Sequence, residues 1–216
     1  MAEPRKRRAN GEASRQRILD AAAAIAGERG YEGTSINLVS ERSGLPASSI
    51  YWHFKDKDAL IAAVIQRSFE EWLRRVSAWE PTAADASREE RMSSMMERTA
   101  STLAESGDFL RLGLMLSLER RPDEPSARRM FIQTREETIR RTVGAYARQF
   151  PELDDEAIHQ LATFTMAMAD GLFVAQEIGG DSVDILGQFE TLAAALIGAA
   201  DHLATRPRRR SRTASR

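Results

Sequence analysis

The spacing of apolar residues predicts a chain that is helical along almost its whole length. Residues 14–29 repeat apolar side chains with the 3.6-residue period of an amphipathic helix. Ser14 is the expected N-cap of this helix, and Gly30 is the expected residue at which it stops. The apolar stripe consists of Ile18, Ala22, Ile25 and Ala26. We therefore predict a first helix that packs one face against its neighbours.

Eight further helices follow from the same periodicity and from the glycines and prolines between them. Two of these helices are short: one is capped by Thr34 and stopped by Gly44, and the next runs from about Ala47 to His53. The others are predicted at about 57–79, 87–105, 108–120, 126–150, 152–178 and 182–205. No segment has the pattern of a β-strand. The expected fold class is all-α, with about nine helices.

The two short helices are the most informative part of the pattern. A tight turn that contains Gly44 and Leu45 joins them, and this arrangement is typical of a helix-turn-helix. Ile50 and Phe54 lie four residues apart, so both are expected on the inward face of the second helix. In a helix-turn-helix the second helix lies in the major groove of DNA. The pattern therefore predicts a small DNA-binding unit near the N-terminus.

The outward face of the second short helix carries polar and aromatic side chains: Ser48, Ser49, Tyr51, Trp52 and His53. A tyrosine hydroxyl and an imidazole are suited to donate to phosphate oxygens. Lys57 begins the next helix, where its charge and unpaired backbone N–H groups both attract a phosphate. The alternative is that the rings only hold a small three-helix unit together. Both interpretations place these residues close to one another.

At these residues the chain resembles the tetracycline-repressor (TetR) family of bacterial regulators. The segment "TSINLVSERSGLPASSIYWHFKDKDAL", residues 34–60, is similar to the DNA-binding sequence of that family. The first helix has a similar length and a similar exit, with Gly30, Tyr31, Gly33 and Thr34. The resemblance covers about residues 14–65. It implies a helical DNA-binding head joined to a helical body.

The resemblance also implies roles for individual residues. Contact with phosphate or the sugar-phosphate wall is expected for Thr34, Ser35, Trp52, His53 and Lys57, and a position facing the groove for Ala47, Ser48, Ser49 and Tyr51. Pro46 stands where the family often has a capping serine or threonine. Since residues 47–49 are all small, we expect DNA sequence to be read through serine contacts, thymine methyl groups, DNA shape and Arg42.

Composition excludes several kinds of protein. The chain has no cysteine, so disulfides, thiolate metal sites and cysteine nucleophiles are absent. No apolar run approaches the roughly 20 residues of a membrane-spanning helix, and a cytoplasmic location is expected. The three histidines are far apart, and no metal-binding, phosphate-loop or hydrolase motif is present. We therefore expect neither an enzyme nor a bound metal or cofactor.

Charge is distributed unevenly along the chain. Residues 1–60 contain ten basic and eight acidic side chains, residues 61–205 contain fifteen and twenty-four, and residues 206–216 contain six and none. The basic ends are consistent with a polyanionic partner, or they only increase solubility. The "RKRR" run at 5–8 either enters the minor groove or attracts phosphate without sequence preference.

The predicted organisation is a disordered basic arm at 1–13, a DNA-binding domain at 14–59, an effector and dimer domain at 60–205, and a disordered Arg-rich tail at 206–216.

The last two predicted helices are the expected dimer contact. They are long, apolar over much of their surface and rich in alanine and glycine, which permits close helix packing. Residues 169–176, "ADGLFVAQ", resemble an Asp-Gly-Leu segment of the equivalent TetR helix. A simple monomer core is the alternative. A homodimer would place two recognition helices about 34–36 Å apart on a pseudo-palindromic operator.

The helices between 57 and 150 are expected to hold a small apolar or amphipathic effector. The candidate lining residues are Trp72, Met92, Met95, Met96, Phe109, Leu112, Met115 and Phe131. Methionines adapt to irregular apolar ligands, although ordinary core packing explains any one of these residues equally well. The function predicted from the sequence is a repressor that the effector releases from double-stranded DNA. The alternative is a helical ligand-binding or adaptor protein without specific DNA binding.

Overall fold

The computed structural model describes residues 3–78, 85–118 and 125–206 as nine α-helices and one short 3-10 turn, without a β-strand in these ranges. The prediction of an all-α fold is confirmed. The helices are α1 Glu3–Arg29, α2 Ile36–Ser43, α3 Ala47–His53, α4 Lys57–Ala78, α5 Arg88–Ser106, α6 Asp108–Leu118, α7 Ser126–Gln149, α8 Asp155–Gly179 and α9 Ile185–Thr205. None of the helices described is long and apolar enough to cross a bilayer.

The first helix begins before its apolar stripe, and the predicted start at Ser14 is wrong. α1 begins at Glu3, and the hydroxyl of Ser14 donates to the carbonyl of Asn10 at 2.9 Å within the helix. Seven of residues 3–13 are alanine, arginine or glutamate, whose high helix propensity extends the helix beyond its amphipathic part in spite of Asn10 and Gly11. The backbone of the predicted disordered arm is therefore helical from Glu3 onward. The predicted disordered tail lies outside the described residues from position 207.

Side-chain caps fix the starts of the last two helices. Asp154 accepts the backbone N–H of Ala157 at 3.0 Å at the start of α8. Asp184 accepts the backbone N–H of Gly187 at 3.0 Å at the start of α9. An aspartate at this position satisfies an N–H group that has no partner within the helix and complements the helix dipole. The acidic run near residue 154 thus has a structural explanation.

The described residues form two compact units. Unit 1 contains those up to Ala78 together with those from Thr102 to Glu136, and unit 2 contains residues 85–101 and those from Glu137 onward. The domain boundary predicted between residues 59 and 60 stays a prediction. In unit 1, α1 to α4 enclose a buried apolar cluster, the head core: Ile18, Leu19, Ala21, Ala22, Ile25, Val39, Ile50, Phe54, Leu60 and Val64.

Unit 2 is centred on the packing of α8 against α9 and of α7 against α8. Tyr146 of α7 is fully buried, and its hydroxyl lies 2.8 Å from Oγ1 of Thr165. The Thr165 hydroxyl donates to the carbonyl of Leu161, so the tyrosine hydroxyl donates to the threonine. Burial raises the pKa of Tyr146 to about 12, and the phenol therefore stays protonated and paired.

Candidate nucleic-acid interface

The turn between α2 and α3 is held by residues from three parts of the head. Gly44 adopts the left-handed conformation with φ of 66°, which side chains other than glycine rarely adopt. Arg17 of α1 donates to the carbonyl of Ser43 at 2.6 Å, and the Ser40 hydroxyl donates to the carbonyl of Leu45 at 2.7 Å. The orientation of α3 is therefore fixed by the first helix as well as by the turn itself.

The α3 helix buries one face and exposes the other. Ile50 is fully buried and Phe54 is 5% exposed, as their spacing predicts. Tyr51 is 56% exposed and Trp52 is 78% exposed, and Ser48 is exposed beside them. The side chains of Ala47, Ser49 and His53 are half-buried at the edges of this face. Large rings on an outward face are unusual for a monomeric surface and point to a partner.

The start of α2 differs from the prediction. Ser35, not Thr34, is the N-cap, and its side chain accepts the backbone N–H of Leu38 at 3.3 Å. Thr34 is 1% exposed, and its hydroxyl donates to the carbonyl of Gly30 at 2.8 Å. The side chain of Thr34 is therefore buried and already bonded, and its expected phosphate contact stays a prediction. Ser35 is exposed at the helix start, where backbone N–H groups and the helix dipole attract a phosphate.

His53 lies between the aromatic residues of α3 and charged residues of α1. The ring of Trp52 meets it edge to face, with centroids 4.5 Å apart. Partial burial lowers the pKa of His53 below its ordinary value, and the positive charge of Arg15 lowers it further, while Glu12 opposes the shift. The imidazole is therefore mainly neutral at pH 7. It can donate one N–H to an anion, and a nearby phosphate would favour its protonated form.

Lys57 lies at the first turn of α4 and is held against the exit of α1. Its ammonium lies 4.2 Å from the centroid of the Tyr31 ring, donates to the Tyr31 carbonyl at 3.2 Å and lies 3.5 Å from a carboxylate oxygen of Glu32. The side chain is 27% exposed. An anion at this helix start would meet an ammonium whose position is already fixed.

Arg42 is paired on the surface rather than free in the described structure. Its guanidinium lies 2.7 Å from a carboxylate oxygen of Glu28, and both side chains are about half exposed. Exposed ion pairs contribute little stability, so this pair is a weak barrier to a different anionic partner. Arg17 and Ser40 were not predicted, although they hold the turn. Their hydrogen bonds to Ser43 and Leu45 depend on the tertiary structure and cannot be recognised from the periodicity of the sequence.

The eight residues predicted to contact an effector are divided between the two units. Unit 1 contains Trp72, Phe109, Leu112, Met115 and Phe131, and unit 2 contains Met92, Met95 and Met96. In unit 1, Trp72 contacts Phe109 and Phe69, with ring centroids 5.8 and 5.9 Å apart. Within the described structure, the Trp72 indole N–H is buried and lacks a hydrogen-bond acceptor. Leu112 of α6 and Phe131 of α7 are buried, while Met115 of α6 is 50% exposed.

Comparison with known proteins points to one family for the head. The family described as "Bacterial regulatory proteins, tetR family" matches residues 18–64. The regulator AcrR of Shigella flexneri is 34% identical over 64 residues, which cover 30% of each chain. The repressor KstR of Mycolicibacterium smegmatis is 39% identical over 56 residues, which cover 26% of this chain and 28% of that protein. The match thus spans less than a third of these relatives.

A solved structure is similar over a greater length. A transcriptional regulator from Rhodococcus sp. Rha1 has a TM-score of 0.68 and 19% identity, with coverage of 89% of this chain and 99% of that one. At this identity the similarity concerns the fold alone. The fold of this chain is therefore similar to that of the Rhodococcus regulator.

Proposed function

We propose that this chain, whose residues 18–64 match the tetR family of bacterial regulatory proteins, is a transcriptional regulator of that family that binds duplex DNA as a homodimer in the bacterial cytoplasm. The observation that carries this proposal is the exposed face of α3, where Ser48, Tyr51 and Trp52 project from a helix whose other face is buried. In the proposed complex this face enters the major groove. Occlusion of a promoter by the bound dimer makes the protein a repressor.

The proposed contacts separate into two kinds. Ser35, His53 and Lys57 contact phosphates at the edges of the groove, Trp52 lies along the sugar-phosphate wall, and Tyr51 reaches a phosphate or a base edge. Ala47, Ser48 and Ser49 face the bases, and Arg42 reaches the backbone or a narrow groove after leaving Glu28. Phosphate contacts set position and affinity, while the small residues of α3 and the shape of the DNA set sequence preference.

The dependence of affinity on salt tests this proposal directly. If the head neutralises several phosphates, the logarithm of the association constant falls linearly with the logarithm of salt concentration. Fluorescence anisotropy with a duplex of the bound sequence and a scrambled duplex measures both slopes. A helical ligand-binding or adaptor protein would show no measurable affinity for either duplex at low salt.

Lys57→Ala is expected to weaken binding several-fold on every duplex and to reduce the salt slope by about one. The reason is that Lys57 would contact phosphate and no base. Ser48→Ala is expected to change the preference between duplexes and to leave the salt slope unchanged. Glu32→Gln is a complementary control, because it removes the carboxylate 3.5 Å from the Lys57 ammonium and should strengthen binding. An unchanged salt slope in Lys57→Ala would show that this lysine does not contact phosphate.

Affinity is expected to increase as pH falls, because His53 takes up a proton in the complex. Its pKa lies below 6.5 in the free protein, and a phosphate beside the ring raises it. The affinity gain begins as pH falls through the pKa of the complex and levels off below that of the free protein. His53→Asn should give a flat profile in the same anisotropy titration. A wild-type profile as flat as that of His53→Asn would show that His53 takes up no proton in the complex.

An apolar stripe on α8 supports the proposed homodimer. The stripe consists of Phe164, Ala167, Met168, Gly171, Val174, Ala175 and Ile178, which repeat with helical period and include no charged residue. Ile178 is 83% exposed, and nothing lies within 4 Å of where a side chain at Gly171 would begin. Leu186 of α9 adds a further exposed apolar side chain. A contiguous surface of this kind favours burial against a second copy.

The aromatic cluster of unit 1 supports a small-molecule effector with an amphipathic character. Phe69, Trp72 and Phe109 provide an apolar surface, and the indole N–H of Trp72 is a buried donor without an acceptor in the described structure. Leaving such a donor unpaired is costly, so an effector oxygen at this position would bind favourably. The roles of Leu112, Met115, Phe131 and the three methionines of unit 2 stay predictions.

A further inference from the structure

The first turn of α7 is capped by a residue of α4 rather than by its own sequence. The residue before α7 is Pro125, which has no side-chain acceptor for the unpaired N–H groups of a helix start. Asp58 supplies both carboxylate oxygens instead. Its Oδ2 accepts the N–H of Ser126 at 2.5 Å, and its Oδ1 accepts the N–H of Ala127 at 3.1 Å. A carboxylate 68 residues away along the chain therefore takes the place of a local N-cap.

The same carboxylate is linked to Lys57 through Tyr31. The Tyr31 hydroxyl donates to Oδ1 of Asp58 at 3.4 Å. The Lys57 ammonium lies over the ring of Tyr31 and donates to its carbonyl. Tyr31 is 9% exposed, so its ring has little freedom to move without displacing its neighbours. The position of the Lys57 ammonium is thus connected by direct contacts to the first turn of α7.

The first turns of α7 are also packed into the interior of unit 1. Ala127 is fully buried, and Phe131, one turn later, lies directly against Gly113 of α6. A displacement of α7 relative to α4 must therefore either break the two bonds of Asp58 or move the first turn of α4. In the second case the Lys57 ammonium moves with it, because Lys57 and Asp58 are adjacent residues of that turn.

We propose that Asp58 is a positioning residue that couples the start of α7 to the phosphate contact of Lys57. The inference rests on the proposed function, because it requires that Lys57 contacts DNA. Coupling between two sites is reciprocal. If a displacement of the start of α7 weakens the DNA contact of Lys57, then DNA binding at Lys57 also stabilises the start of α7. The amide hydrogens of Ser126 and Ala127 report this effect, since they are the donors to Asp58.

Hydrogen exchange followed by mass spectrometry, with and without a duplex of the bound sequence, tests the coupling. In the wild type, DNA should slow exchange at the amides of Ser126 and Ala127 by about fivefold or more, although these residues lie outside the recognition helix. Asp58→Ala should abolish that slowing. A matched control is Asp154→Ala, which removes the N-cap of α8 in unit 2 and should leave the slowing intact.

A rescue variant distinguishes coupling from simple stabilisation. Asp58→Ala combined with Pro125→Asp gives α7 a local N-cap and should restore the melting temperature, because aspartate is a favoured capping residue. If Asp58 couples the two helices, DNA still fails to slow exchange at Ala127 in this double variant. Restored slowing would overturn the coupling role and leave only a capping role.

The wild-type experiment also separates this inference from the proposed function. Slowed exchange across residues 47–53 without any change at Ser126 and Ala127 would overturn the coupling and leave DNA binding by α3 intact. No slowing in either region, with DNA in excess at low salt, would overturn the proposed function and the coupling together.

Discussion

Met168→Glu is expected to convert the proposed dimer into a monomer and to lower the affinity for the bound duplex by about 100-fold or more. Met168 is 40% exposed in the middle of the apolar stripe of α8. Each dimer would bury two added carboxylates on a stripe that contains no cation to pair with them. A monomer engages one half-site at a time and loses the high effective concentration of the second head. Light scattering measures the mass, and fluorescence anisotropy measures the affinity.

Ala147→Glu is the matched control for this variant. Ala147 is exposed on α7 in the same unit, so the substitution adds the same charge away from the stripe. We expect both the dimer mass and the DNA affinity to stay unchanged. A dimeric Met168→Glu variant with wild-type affinity would show that the copies associate through another surface.

Gly113→Ala is expected to reduce the free energy of unfolding by about 1–3 kcal/mol. A methyl group at Gly113 would begin far inside van der Waals contact with Cδ2 and Cε2 of the Phe131 ring. Phe131 is 3% exposed, so its ring has to displace other buried side chains to make room. Chemical denaturation measures the loss directly, and the melting temperature should fall by about 3–10 °C.

Gly144→Ala is the same substitution at another helical glycine, and it is expected to increase the free energy of unfolding. A side chain at Gly144 would meet only the Arg148 guanidinium, at an ordinary 3.8 Å. Since alanine favours the helix interior more than glycine, this variant should be more stable by up to about 1 kcal/mol. Phe131→Leu should also reduce the loss caused by Gly113→Ala, because the two positions are in contact. Equal effects of Gly113→Ala and Gly144→Ala would contradict the close packing of α6 on α7.

Periodicity and turn residues predicted the helices and the head core because both depend on local information. The apolar stripe of Ile18, Ala22 and Ile25 is buried, and so are Ile50 and Phe54 of α3. Gly44 has the left-handed conformation that a glycine between two short helices indicates. The TetR resemblance of residues 34–60 is likewise confirmed by the family that matches residues 18–64.

Contacts between distant residues were not predictable in the same way. No pattern within α4 shows that Asp58 caps α7, because its partners follow 68 residues later. The burial of Thr34 depends on the end of α1, because the Thr34 hydroxyl donates to the carbonyl of Gly30. Ser14 fits an N-cap, yet propensity carries α1 past it to Glu3. The methionines Met92, Met95 and Met96 share a helical period but belong to a different unit from Trp72.

Selection of bound fragments from random duplex DNA, followed by the mass of the selected complex, tests whether the chain binds specific DNA as a homodimer. We predict a pseudo-palindrome whose half-sites lie about one helical turn, 34–36 Å, apart, with two protein chains on each duplex. Substituting either half-site should then weaken binding to a similar degree. Failure to enrich any sequence at low salt, or enrichment of a single unrepeated half-site bound by one chain, would contradict it.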